Sequence, residues 1–374
     1  MMHAATMFVI FFGILVVRVA ELIGLMRVRW RRKSTAPWKT VSRTVLKTMT
    51  MNKFASETDL QPAVLLVKSG GPSALPEWQR LFAEMVPDLR VCGWQDEGVD
   101  PAHVHYVLVW EPETGRIAQN PKLRLIPSSE AGVDHILADT ALPAHLPIIR
   151  MVTPETVQRM ADFVVLSALM LLRQMPSIFR AQSEARWDEG LTGKMSTETT
   201  VGILGLGQLG SNAARKLAAV GFPVQGWSRS AKAIEDVHCL YGESGFETLI
   251  ASSDILINLL PDTASTRHLL NAGVFSRMRP GSALINVGRA NQIDQDALLN
   301  ALNSGHLAGA VLDVFENEPL RVAHPFWTHP AVIVTPHIAS AVSLPGKARQ
   351  VASVIAADRN GQPLPNLYNR AQGY

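Results

Sequence analysis

Cysteine is scarce: Cys92 and Cys239 are the only two in 374 residues. They stand far apart with no Cys-x-x-Cys spacing. That excludes a disulfide framework and a thiolate zinc site, so no metal is expected, and it fits a reducing compartment. Both read as small apolar core residues. Low-complexity tracts are also missing, while 47% of the chain is hydrophobic and only 18% charged, which excludes a disordered protein. The length allows two domains of about 100–200 residues each. A basic body is lacking as well, although the net charge is +3: residues 1–56 hold ten Lys/Arg and one acid, Glu21. The remaining 25 basic and 31 acidic residues leave the body at −6, which argues against a polyanion groove, so no nucleic-acid partner is expected.

Residues 7–17 form an apolar run, and a weaker one spans 19–26, interrupted by Arg18 and Glu21. A spanning helix needs about 20 apolar residues, and charges at mid-span are costly. Arg27, Arg29, Arg31, Arg32 and Lys33 follow, which for an anchor would leave the body cytoplasmic. No Lys or Arg precedes the run and no small-residue cleavage site follows, so a secretory signal fits poorly. Three readings remain for the basic extension 1–56: a true start near Met49 or Met51, a membrane anchor, or a transit peptide. The body is expected in the cytoplasm, with membrane contact only through this extension.

From Pro62 the chain alternates between strand and helix patterns, the mark of an α/β fold. Strands are expected at 63–67, 89–93, 106–110, 123–127, 200–204, 223–227, 254–260, 282–287, 309–314 and 332–335. Helices are expected around 77–85, 154–175 and 211–220, with a polar, poorly periodic stretch at 183–196.

The sharpest segment is Gly205-Leu206-Gly207-Gln208-Leu209-Gly210, set between a strand and a helix and followed by a second strand. Glycines at this spacing permit a tight turn, let backbone approach a pyrophosphate and allow close helix–strand packing. A lone glycine motif is weak, but in this context it points to a dinucleotide. After the second strand comes Ser228-Arg229-Ser230, without the acid that would hold ribose hydroxyls. Hydroxyls around a guanidinium suit a 2′-phosphate, so NADP is expected in preference to NAD. Other polar residues gather at strand ends, where open parallel sheets bind ligands: Leu260-Pro261, Gly288-Arg289-Ala290, Glu316-Asn317-Glu318-Pro319 and Pro336-His337.

With these residues in view, the chain from about Ala63 onward resembles the D-isomer-specific 2-hydroxyacid dehydrogenases, most closely the glyoxylate/hydroxypyruvate reductase A type. The resemblance rests on Gly205–Gly210, Asn286-Val287-Gly288-Arg289, Asp313-Val314-Phe315-Glu316-Asn317-Glu318-Pro319 and Pro336-His337-Ile338-Ala339. Trp110, Ala131-Gly132-Val133-Asp134 and the terminal Gly373-Tyr374 add to it. It implies a Rossmann-type doubly wound dinucleotide domain at 166–337 and a smaller flavodoxin-like substrate domain built from 62–165 and 338–374. It also implies hydride transfer from NADPH or NADH to the C2 carbonyl of a small 2-oxo acid such as glyoxylate or hydroxypyruvate, catalysed by Arg289, Glu318 and His337.

By the same resemblance, Ala131 and Gly132 cradle the substrate carboxylate beside Arg289, and Trp110 walls the pocket. Leu260, Pro261, Thr266, Val287 and Asp313 meet the cofactor, and the protein is a homodimer. Glu130 and Ala290 stand where the family often has glycine, which leaves the substrate open. The competing readings are a reductase for a bulkier 2-oxo acid and a dinucleotide-sensing regulator without catalysis.

Overall fold

Val64, Leu65, Leu66 and Val67 are all buried, and a strand buried on both faces belongs inside a parallel sheet. In the computed structural model, which describes residues 62–373, this strand is β1 (Val64–Lys68). It lies between β2 (Arg90–Gly93) and β3 (Val104–Val109), parallel to both. Bridges Tyr106–Leu125 and Val109–Ser128 carry the pairing on to β4 (Ile126–Pro127), which pairs with β5 (Ile148–Ile149). The order 2-1-3-4-5 is that of flavodoxin-like sheets. Helix α1 (Leu75–Met85) buries Trp78, Leu81 and Phe82, one face at helical spacing. A short helix α2 (Asp134–Leu137) follows β4.

Helix α3 (Pro154–Leu172) leads into the second lobe. Its seven strands are β6 (Val201–Leu204), β7 (Val224–Ser228), β8 (Val237–Tyr241), β9 (Ile255–Asn258), β10 (Ser282–Asn286), β11 (Leu307–Leu312) and β12 (Val332–Val334). All neighbours are parallel, in the order β12-β11-β10-β9-β6-β7-β8. Counted from β6 this is the Rossmann order 3-2-1-4-5-6 with one further edge strand. One face packs on α3 and α5 (Gln208–Ala219). The other packs on α6 (Gly242–Ser252), α7 (Ala272–Arg277) and α8 (Gln295–Asn303). The order reverses between β6 and β9, which opens a crevice at the carboxyl ends of the strands.

After β12 the chain returns to the first lobe as α9 (Leu344–Arg359), whose Val351, Val354 and Ile355 join the core of β1 and α1. Both crossings between the lobes are fastened together: the Ser343 N–H and hydroxyl donate to the Glu155 carboxylate at 3.1 and 3.0 Å.

The expected helix at 154–175 is two helices. It stops at Leu172, and α4 (Met175–Ser183) leaves at 65°. Pro176 has no N–H to continue the ladder, so it serves in the first turn of a new helix instead, after Gln174 turns the chain at φ 55°. The freed Leu172 carbonyl accepts from Lys194 N at 3.1 Å. Among the described residues no single helix is long and apolar enough to cross a membrane. The readings of residues 1–56 lie outside the described residues.

Candidate active site

The glycine turn is built as its spacing demands. Gly205 sits at φ 101°, and a Cβ there would meet the Leu259 carbonyl at 2.8 Å. A Cβ on Gly210 would lie 1.8 Å from the Gly205 carbonyl, so this glycine lets α5 press against β6. A Cβ at Gly207 would meet nothing within 4 Å, so that side of its backbone is open to an approaching group. Gly207 is also the N-cap of α5 and brings no capping side chain, so the first-turn amides remain available to an anion.

The turn opens on a cleft of about 910 Å³. Gly205, Gly207, Gln208, Leu209 and Gly210 line it, with Ser228, Arg229 and Ser230 after β7 and Leu260, Pro261 and Thr266 after β9. Val287, Arg289, Asp313 and His337 line it from the ends of β10, β11 and β12, and Ala131 and Gly132 from the first lobe. Glu318 and Trp110 stand behind His337 instead. At the β7 end the cleft also holds Lys232, whose ammonium donates to the Leu206 carbonyl at 2.7 Å. Arg229 reaches the Gln372 carbonyl at 3.4 Å. Two cations and two serine hydroxyls beside an uncapped helix start fit a dinucleotide carrying an extra phosphate.

At the other end, Arg289 is held through its backbone by buried amides. Its N–H donates to Gln292 Oε1 at 3.0 Å, and its carbonyl accepts from Asn286 Nδ2 at 3.3 Å. Gln292 in turn donates to the Leu260 and Pro261 carbonyls, so one network sets both the arginine and the facing cofactor loop. The guanidinium leans toward the first lobe, where Nε donates to Asp134 Oδ1 at 3.0 Å. Burial works to raise the Asp134 carboxyl, but the charge and hydrogen bond of Arg289 leave it below the usual carboxylate range.

Gly132 makes room for this pair: a Cβ there would lie 1.5 Å from the nearer Arg289 amino nitrogen. Gly132→Ala should therefore leave folding nearly intact, because a side-chain tip can move, while displacing the guanidinium. We expect a fall in kcat/KM of about 10–150-fold, the scale of one charge-assisted hydrogen bond, with the melting temperature little changed. A loss of stability with normal specific activity would contradict this.

His337 follows β12 at φ 55°, a backbone conformation costly for any residue but glycine. Asp313 braces it. The buried carboxylate accepts from the Thr335 hydroxyl at 2.6 Å and from Ile338 and Ala339 N–H at 2.9 Å each. Burial nonetheless holds the Asp313 carboxyl above its ordinary value, these donors opposing it. His337 Nδ1 meets Glu318 Oε2 at 2.8 Å, while Glu318 Oε1 accepts from Phe315 N–H at 2.9 Å. The hydrogen bond to the Glu318 carboxylate raises the imidazole pKa against the opposing effect of burial. Burial pushes the Glu318 carboxyl up, yet the bonds to His337 and Phe315 bring it below the ordinary value.

Trp110 and His337 lie nearly perpendicular, centroids 6.3 Å apart, and Trp110 packs on His135 at 4.2 Å. Burial above all pushes His135 down to about 4, so this ring stays neutral beside Arg289. Of the two imidazoles packed on Trp110, His135 is thus the lowered one and His337 the raised one.

The D-isomer specific 2-hydroxyacid dehydrogenase NAD-binding domain family matches residues 165–339. Glyoxylate/hydroxypyruvate reductase A of Serratia proteamaculans is 38% identical over 304 residues, covering 80% of this chain and 96% of that protein. A D-isomer specific 2-hydroxyacid dehydrogenase of Xanthobacter autotrophicus, solved with NADPH and MES, superposes with a TM-score of 0.78 at 38% identity, covering 84% of this chain and all of the other. NADPH-dependent glyoxylate/hydroxypyruvate reductase of Sinorhizobium meliloti, solved with NADP and sulfate, gives 0.78 at 34%, covering 83% and 99%. The chain belongs to the D-isomer specific 2-hydroxyacid dehydrogenase family.

Of the two positions near the site where glycine was expected, Glu130 and Ala290, neither side chain enters the cleft. Glu130 pairs with Lys347 of α9 at 2.5 Å, which neutralises it. Ala290 is buried and borders a void of about 10 Å³ between β10 and Phe326. Asp134, Arg150 and Lys232, to which the sequence assigned no role, do line the main cleft. Asp134 stood in the Ala131–Asp134 motif without a role, and Lys232 is a second cation after the strand that ends at Ser228.

Proposed function

We propose that this dehydrogenase reduces the C2 carbonyl of small 2-oxo acids, glyoxylate and hydroxypyruvate foremost, with NADPH, giving the D-2-hydroxy acid. One observation carries the reading: a guanidinium and a carboxylate-raised imidazole share one end of a cleft whose other end holds two cations and no ribose-binding acid. The relatives named above fit it. In this reading residues 166–337 hold the dinucleotide, and residues 62–165 with 338–374 cover the substrate. NADPH, when bound, supplies the hydride.

The chain's own residues do the rest. The amides of Ala131 and Gly132 and the Arg289 guanidinium take the substrate carboxylate, and the guanidinium also polarises the adjacent carbonyl. Because Glu318 occupies Nδ1, Nε2 of His337 is left to deliver a proton to the oxygen that gains charge. Trp110 and His135 form an apolar wall behind the imidazole. The exposed apolar side chains Leu166, Phe179, Trp187 and Met195, on α3, α4 and the segment after them, support a homodimer.

The cofactor reading is tested at Arg229. Replacing it with Asp should lower the ratio of kcat/KM with NADPH to that with NADH by about 10–150-fold, the range for a charge-assisted hydrogen bond to a phosphate. Steady-state rates of cofactor oxidation with glyoxylate measure it. An unchanged ratio would remove Arg229 from the phosphate site.

A further inference from the structure

The loop after β4 ties down three consecutive carbonyls. Glu130 O accepts from Met151 N–H at 3.0 Å, Ala131 O from Arg150 Nε at 2.9 Å and Gly132 O from the Ser128 hydroxyl at 2.9 Å. These peptides are trans, so the N–H groups of Ala131, Gly132 and Val133 each point away from their anchored carbonyl. Among the described residues none of the three N–H groups has a hydrogen-bond acceptor, and all three residues line the cleft. Successive main-chain N–H groups set in a row at a cleft suit an anion.

Arg150 is the one charged anchor. It is half-buried, and its pKa is lowered first by burial and then by Arg289. A guanidinium withdrawn from water that faces another cation is costly, and among the described residues its hydrogen bond goes to a peptide carbonyl. Ser128 is fully buried and does not line the cleft; its hydroxyl also accepts from the Glu130 N–H at 3.1 Å and lies 3.4 Å from His135 Nε2.

We propose that Arg150 is a positioning residue that, with Ser128, fixes the peptides on either side of Gly132 so that their amides face the substrate carboxylate. The inference rests on the function proposed above. It gives Arg150 a task distinct from that of Arg289: it turns a peptide and polarises nothing. Without the Ala131 anchor the peptide is free to rotate, and binding energy must then be spent on restoring it.

The test compares Arg150→Met and Ser128→Ala with the unaltered full chain, using glyoxylate and NADPH. Arg150→Met should raise KM about 10–150-fold, and Ser128→Ala about 2–12-fold, the ranges for a charged and a neutral hydrogen bond. In both, kcat should change far less than KM and the affinity for NADPH should hold. The affinity for oxamate, a carboxylate that cannot be reduced, should fall in parallel with the rise in KM. Circular dichroism checks folding, and if Arg150→Met does not fold, Arg150→Gln replaces it.

A rise in KM for the Arg150 variant alone would mean that the guanidinium touches substrate itself, which overturns the positioning role. A loss confined to kcat, or no change in either variant, overturns it too. Failure of the unaltered chain to reduce any 2-oxo acid would instead overturn the proposed function, so the two failures are distinguishable.

Discussion

Alanine in place of His337 should lower kcat for 2-oxo acid reduction by roughly 10²–10⁴, with KM changed much less, because a proton donor is lost while the carboxylate site stays. Glu318→Gln should act through the same imidazole and show in the pH profile. Glu318 raises the His337 pKa, and in the proposed mechanism reduction needs the protonated ring. Activity is therefore held at low pH and lost as pH rises through that raised pKa. Without the carboxylate the ring gives up its proton earlier, so the high-pH limb of kcat/KM should move to lower pH. For oxidation of the hydroxy acid, which needs the neutral ring, the low-pH limb should move the same way. The double variant should cost little more than His337→Ala alone, since the glutamate then has nothing to tune. Simple addition of the two losses would show that Glu318 works by another route.

The second large effect belongs to Arg289. Its removal should cost at least the 10–150-fold of one charge-assisted hydrogen bond in kcat/KM, and more where carbonyl polarisation is lost as well. The pairing with Asp134 adds a component of its own: Arg289→Ala leaves a partly buried carboxylate facing an anionic substrate. Adding Asp134→Asn to Arg289→Ala should thus recover part of the binding, whereas Asp134→Asn in the otherwise unaltered enzyme should impair it by loosening the guanidinium. Such a reversal of sign, read from KM in a double-mutant cycle, is the signature expected of a held arginine. If Asp134→Asn is equally harmful in both backgrounds, the carboxylate serves the fold and not Arg289.

The parts of the site that could be read from the chain are those whose chemistry is local. Gly205, Gly207 and Gly210 announce a turn because three backbone constraints fall within six residues, and His337 and Glu318 stand in short motifs at strand ends. The partnerships that escaped act across long separations. Asp134 meets Arg289 from 155 positions away, and Glu130 is neutralised by Lys347 from 217 away, so neither partner is visible in its own segment. Arg150 works on a carbonyl 19 residues earlier, through a loop whose folding no periodicity encodes. Strand β8 alternates weakly between exposed and half-buried residues at the sheet edge, a pattern too faint to stand out. The break after Leu172 escaped because the apolar pattern runs on toward Met175, and only Pro176 opposes it.

The clasp of Ser343 on Glu155 bears on how the molecule comes apart. The first lobe is closed by the last helix of the chain, so the dinucleotide-binding lobe is an insert whose two ends are buckled side by side. A protease nick in either crossing leaves the lobes joined through the other, and such a cut need not release a fragment. Loss of the chain from residue 343 onward is the graver injury. It strips Val351, Val354 and Ile355 from the core of β1 and α1 and unbuckles the insert at the same stroke, although the nucleotide cleft's own sheet has lost no strand.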